Sequence, residues 1–245
     1  MERTEFKSHI SAQYNRNLED LFNQVLEMGG LVEDQLSNTI EAIKCENKSL
    51  AKEVKQLDKI VNKEEMEIDH LCARVLARQQ PTASDLRLIV SAIRIAVDLE
   101  RIGDEVVNAS KLAIKMAKVQ DIPCDTLPGF KSLMEMINID FEMLKKVLTS
   151  FAQLDLAGLS DAVDDEQHVT EIKNKALAEI QTSLNNTEEL AEYIMQMIYS
   201  IRAAERISAH IVNIAESIVY LVKGRDVRNM NSEKLSDFLE KENQE

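Results

Sequence analysis

The sequence predicts an all-α protein: two tandem antiparallel three-helix bundles related by an internal repeat. Three observations predict it. Turn residues are scarce, with six Gly and three Pro in 245 residues, so a sheet-rich fold is hard to place. Ala, Leu, Glu, Lys, Gln and Met, the good helix formers, dominate instead. And a segment of the third predicted helix returns in the sixth. LERIGDEVVNASKLAI from Leu99 aligns with AERISAHIVNIAESIV from Ala204. Glu100, Arg101, Ile102, Val107 and Asn108 match Glu205, Arg206, Ile207, Val212 and Asn213, each pair 105 residues apart (205 − 100).

The periodicity places the helices in order. The first covers residues 10–46, with Leu31, Val32, Leu36, Ile40 and Ile43 as one apolar stripe. Asn47 and Ser49 break it. The second runs over 50–78, with Ile60, Ile68, Leu71 and Val75 on one side. Pro81 stops it, because the residue before a proline avoids the α region. Thr82 with Asp85 three positions on reads as a capping box for the third helix, 83–119. Residues 121–130 hold two of the three prolines and form the linker between bundles. Helices over 130–153, 158–183 and 187–223 follow, the last capped by Asn185-Asn186-Thr187 and ended by Gly224. The domains are then 10–120 and 131–224, with a polar tail, 225–245, holding at most a short helix around Leu235–Leu239 and otherwise mobile.

Charge narrows the partners. The formal net charge is −14, which repels phosphate backbones and anionic lipid, so nucleic acid and direct membrane insertion are not expected. No apolar run reaches the roughly 20 residues that span a bilayer, and MERTEFKSHI lacks the apolar core of a signal peptide. Cys45, Cys72 and Cys124 have no metal-type spacing and read as reduced core residues of a cytoplasmic protein. No phosphate loop, nucleophile elbow or HExxH motif occurs, so the chain is not expected to be an enzyme.

The chemistry-bearing feature is a polar stripe. Glu100, Asp104 and Asn108 are four apart, and each step of four turns only about 40° on a helix. With 43 acidic residues, about seven acidic i,i+4 pairs arise by chance, and most are solvated faces. This pair stands out because its helix is apolar nearly all round, through Ile93, Ala96, Val97, Ile102, Val106, Val107, Ala109, Ala113 and Ile114, and is therefore expected to be covered. Shielded like charges repel unless a cation sits between them. The stripe also recurs as Glu205 and Asn213, although Ala209 replaces the aspartate and His210 follows. Hard oxygen donors at this spacing suit a divalent metal or iron. Arg87, Arg101 or Arg202 could instead neutralise them in a structural ion-pair network.

Other candidates carry less. Glu67-x-x-His70 and Asp165-x-x-His168 are shaped like halves of a di-iron motif. His70, however, lies about 200° round from the apolar Ile68, and both histidines read as exposed. His210 is either a replacement ligand beside the missing aspartate or, with nothing nearby to support it, a phospho-accepting histidine. Met195 and Met197 read as core filler.

Met28-Gly29-Gly30-Leu31-Val32-Glu33, Pro81-Thr82-Ala83-Ser84-Asp85-Leu86-Arg87 and Leu99-Glu100-Arg101-Ile102-Gly103-Asp104 resemble the PhoU family of bacterial phosphate-signalling regulators. The resemblance runs from Ile10 to Gly224. It implies a pair of three-helix bundles and a cytoplasmic negative regulator of phosphate uptake and of the phosphate-starvation response. Such a regulator links the ATPase subunit of the phosphate ABC transporter to a sensor histidine kinase, commonly as a homodimer. The family's repeated acidic motif, which binds metal in some members, maps onto Glu100 and Asp104. In the second half it maps onto Glu205 alone, with Asn108, Asn213 and His210 as further candidate ligands. The alternative is a metal-dependent carboxylate-bundle enzyme or a metal-storage protein.

Overall fold

The computed structural model of the protein describes residues 12–117, 123–183 and 191–243. Seven α-helices follow in order: α1 (Ala12–Lys44), α2 (Lys48–Arg78), α3 (Ala83–Met116), α4 (Phe130–Gln153), α5 (Leu159–Ser183), α6 (Ala191–Lys223) and α7 (Ser232–Glu242). No strand occurs among the described residues. The all-α expectation holds, and six predicted helices stand within a few residues of their expected bounds. The expected ends of the third helix past Ala117 and of the sixth before Ala191, with the Asn185-Asn186-Thr187 cap, lie outside the described residues.

Local chemistry sets the helix ends. Asn47 Oδ1 accepts the backbone N–H groups of Ser49 and Leu50 at 3.0 and 3.1 Å, satisfying donors that the first turn of α2 leaves free. At the start of α3, Asp85 Oδ2 accepts from the Thr82 N–H at 3.2 Å and the Thr82 hydroxyl at 2.8 Å. The Tyr14 hydroxyl donates to the same oxygen at 2.9 Å, so this cap also anchors the start of α1. Gly224 ends α6 at φ +70°, a left-handed conformation in which a Cβ would be strained.

α1, α2 and α3 pack as one bundle and α4, α5 and α6 as the second. The two bundles meet chiefly along α3 and α6, which run antiparallel. Arg87 Nε donates to the Leu221 carbonyl at 3.2 Å, Ser91 Oγ to the Ser217 carbonyl at 3.1 Å, and Ser200 Oγ to the Ala109 carbonyl at 3.3 Å. Ser91 and Ser200 are fully buried. Their small side chains let the helices close, and each hydroxyl is satisfied across the interface. A second contact joins α1 to α4, where the Phe22 and Phe151 rings stack with centroids 4.7 Å apart. Gly29 allows that approach, since a Cβ there would meet Leu148 Cδ2 at 2.5 Å. One continuous apolar cluster runs through both halves.

Four expectations are corrected. Ile60 is 45% exposed, and its neighbour Val61 is the buried member of the α2 stripe. Met195 is exposed, while Met197 fills the core as expected. Cys45 is exposed; Cys72 and Cys124 are buried, and burial pushes both thiols up to about 12. The tail is more ordered than expected. Asn231 Oδ1 caps α7 through Lys234 N, and α7 packs against α5 with Leu235 and Leu239 buried one turn apart.

Candidate functional site

The structure divides the predicted polar stripe among three places. Glu100 and Asp104 face α2, where Asp58 and Glu65 add two more carboxylates to an acidic cluster. Burial, then the Asp104 charge, raises the Glu100 carboxyl above its ordinary value; Arg101 opposes this, and Glu65 and Asp58 reinforce it. Asp58 is raised likewise, by burial first and then by Asp104. Arg101 is the neutralising cation that the sequence offered, but it is loose. Its guanidinium stands 3.5 Å from Glu100 Oε2 and 3.9 Å from Asp104 Oδ2, on a side chain 56% exposed. Arg87 bonds the Leu221 carbonyl and Arg202 lines a separate cleft, so neither serves this cluster.

Beside these carboxylates lies a buried oxygen without a partner. Gln35 Oε1 accepts no hydrogen bond. Gln35 Nε2 reaches the Val54 carbonyl at 3.3 Å and Asp58 Oδ1 at 3.5 Å. Gly103 keeps the space open, because a Cβ there would stand 3.0 Å from Gln35 Oε1 and 3.4 Å from Asp58 Oδ1. The donor chemistry, carboxylate and amide oxygen, fits a hard cation. Among the described residues, however, no three His, Cys, Asp or Glu side chains converge as a finished coordination shell. The cluster fits a cation by charge and donor type.

The second repeat handles its glutamate differently. Lys173 Nζ stands 2.5 Å from Glu205 Oε1, and that lysine is only 17% exposed. Glu166 shares the site; burial first and the Glu205 charge second raise its carboxyl, while Lys173 lowers it. The covalently attached ammonium of Lys173 thus occupies the place where the first repeat carries excess negative charge. Ala209, the missing aspartate, is exposed.

The remaining predicted ligands point elsewhere. Asn108 Nδ2 donates to Glu105 Oε2 at 3.2 Å and its Oδ1 accepts from Lys111 at 2.7 Å. His210 Nδ1 lies 2.9 Å from Asp98 Oδ1, and Asn213 Nδ2 donates to the same oxygen at 3.1 Å. Asn108, His210 and Asn213 therefore belong to the α3–α6 interface, where His210 meets Asp98. The reason is angular drift: eight residues turn the side chain about 80° from Glu100 to Asn108 and from Glu205 to Asn213, and the five from Glu205 to His210 turn it about 140°. His70 and His168 are exposed, as expected.

The family model of the PhoU domain matches residues 25–113 and 133–218, one copy per bundle. The chain belongs to the PhoU family. The phosphate-specific transport system accessory protein PhoU homolog of Pseudomonas aeruginosa is 36% identical over 233 residues, covering 95% of this chain and 94% of that protein. The PhoU accessory protein of Escherichia coli is 33% identical over 239 residues, covering 98% and 97%. Among solved structures, PhoU from Pseudomonas aeruginosa superposes with a TM-score of 0.81 at 34% identity, covering 86% of this chain and all of that one. The phosphate transport system regulatory protein PhoU from Streptococcus pneumoniae gives 0.76 at 26%, covering 86% and 97%. The PhoU relatives are named accessory proteins and not enzymes, and the chain, as expected, is no enzyme. No helix among the described residues is long and apolar enough to cross a membrane.

Proposed function

We propose that this protein is an accessory regulator of phosphate transport. In this reading it restrains uptake and the phosphate-starvation response when phosphate is plentiful, by linking the transporter's ATPase subunit to a sensor histidine kinase. It acts in the cytoplasm, as a homodimer. The observation that carries the reading is the match of both repeats to a family whose near-full-length relatives are named phosphate-specific transport accessory proteins. The test is complementation. In a bacterium whose own PhoU is deleted and whose starvation response is constitutive, expression of this chain restores phosphate-dependent repression of alkaline phosphatase. Unchanged enzyme levels, with the protein present in soluble form, would refute the proposal.

The acidic cluster is proposed to hold a divalent cation or iron, with Asp58, Glu65, Glu100 and Asp104 as the residues around it. Bound there, the ion supplies positive charge between carboxylates that otherwise repel, and ties α2 to α3. The second repeat needs none, because Lys173 already neutralises Glu205. Glu100→Gln/Asp104→Asn is therefore expected to raise the melting temperature of the metal-free protein and to abolish any further rise with Mn²⁺ or Mg²⁺. Wild type should show that rise, and elemental analysis should find metal only in wild type. Equal metal content in the two proteins would remove the ion from this cluster.

A further inference from the structure

On the α6 side of α3 lies a cleft of about 510 Å³ that the acidic cluster does not touch. Its charged lining is Glu105 and Lys111 from α3 with Arg202 and Arg206 from α6, three cations against one carboxylate in a chain of net charge −14. The single carboxylate is structural. The Glu105 side chain is 8% exposed, and its Oε1 holds Arg206 Nη1 at 2.7 Å. Its Oε2 accepts from Asn108, whose own oxygen receives Lys111 Nζ at 2.7 Å. One buried carboxylate thereby sets two cations in place at the cleft. Arg202, one turn before Arg206, makes no ion pair or hydrogen bond among the described residues. Tyr199, three residues earlier on the same helix, also lines the cleft and is 56% exposed.

We propose that this cleft binds a nucleoside phosphate. Arginines recognise phosphoryl oxygens through paired donors; here Arg206 is held by Glu105 and Arg202 is left free for the ligand, and an exposed aromatic ring beside them offers a stacking face to a base. The volume lies within the range of small-molecule sites and is far larger than a bare phosphate fills. The feature is not a by-product of the repeat. At the equivalent place in the groove at the other end of α3 and α6, Glu216 stands for Lys111 and Val97 for Arg202, and Asp98 lines the groove as well. Arg94 and Arg228 line that groove too, but they face two carboxylates, Asp98 and Glu216, so the excess of cations belongs to one end only.

The test is calorimetric titration of the full chain with ADP, GDP, adenosine and pyrophosphate. The expected result is one diphosphate nucleotide per chain, with adenosine and pyrophosphate each at least about tenfold weaker. Arg202→Ala weakens nucleotide and pyrophosphate alike, about tenfold or more. Tyr199→Ala weakens nucleotide and leaves pyrophosphate unchanged. Arg94→Ala, in the other groove, changes neither. Tyr199 and Arg202 are exposed and Arg94 is half-buried, and thermal melts confirm that each variant is folded. No saturable binding of either nucleotide at about 1 mM, pyrophosphate binding as tight as ADP, or full affinity in Arg202→Ala would each overturn the assignment.

Discussion

Phe151→Ala is expected to lower the stability of the folded chain by about 3–5 kcal/mol, the usual range for removing a buried aromatic side chain. Phe151 is fully buried on α4, and its ring lies at 23° to that of Phe22 on α1, which is 1% exposed. The two helices belong to different bundles, so the pair is one of the places where the repeats hold each other. For a chain of this size each kcal/mol moves the melting temperature by roughly 2–4 °C, so a fall of about 6–20 °C is expected. Phe22→Ala should cost a similar amount. The double variant should cost less than the sum, because either truncation alone already breaks the stack, and the shortfall should be about 0.5–1.5 kcal/mol. Urea unfolding of the four proteins reads this directly. Strict additivity would mean that the rings contribute only their separate burial.

Much of this architecture is legible in the residues, because amphipathic period and turn scarcity are local properties. Asn47, the Thr82–Asp85 pair and Gly224 mark helix ends that the structure reproduces. The division of the polar stripe is not local. Period tells which side chains share a face but not which helix will cover it. Glu100 and Asn108 both qualified as one stripe, yet α2 covers the first and α6 borders the second. The partners that decide each role are distant in the chain. Asp98 meets His210 across 112 residues and Glu105 meets Arg206 across the same interface. Asp58 and Glu65 sit on α2 among many other acidic residues, with nothing in their spacing to single them out. Lys173 is similar: an ordinary lysine in the sequence, it becomes meaningful only once α5 brings it against Glu205. A signal was available for the buried pair Gln35 and Asp140. They are 105 residues apart (140 − 35), the offset of the repeat, on α1 and α4, and each is polar where its helix is otherwise apolar.

That equivalence leads to the second large effect. Asp140 is fully buried, and neither carboxylate oxygen has a hydrogen-bond partner. Burial alone raises its carboxyl well above the ordinary value. The sign of the linkage follows. A proton held more tightly in the folded chain than in the unfolded one favours folding at low pH. That stability is fully present below the unfolded value of 3.8 and is lost as pH rises through the raised folded value. Asp140→Asn keeps the shape and removes the titration. The variant should therefore match wild type near pH 4 and exceed it at pH 8, each pH unit by which burial raises the carboxyl contributing about 1.4 kcal/mol to the difference. Gln35, the amide at the equivalent position of the first repeat, shows that an uncharged side chain is accommodated there. Chemical unfolding of both proteins at several pH values between these limits is the measurement. Parallel stability curves would show that Asp140 gains no proton on folding, and that an unseen partner, not neutralisation, accommodates it in the core.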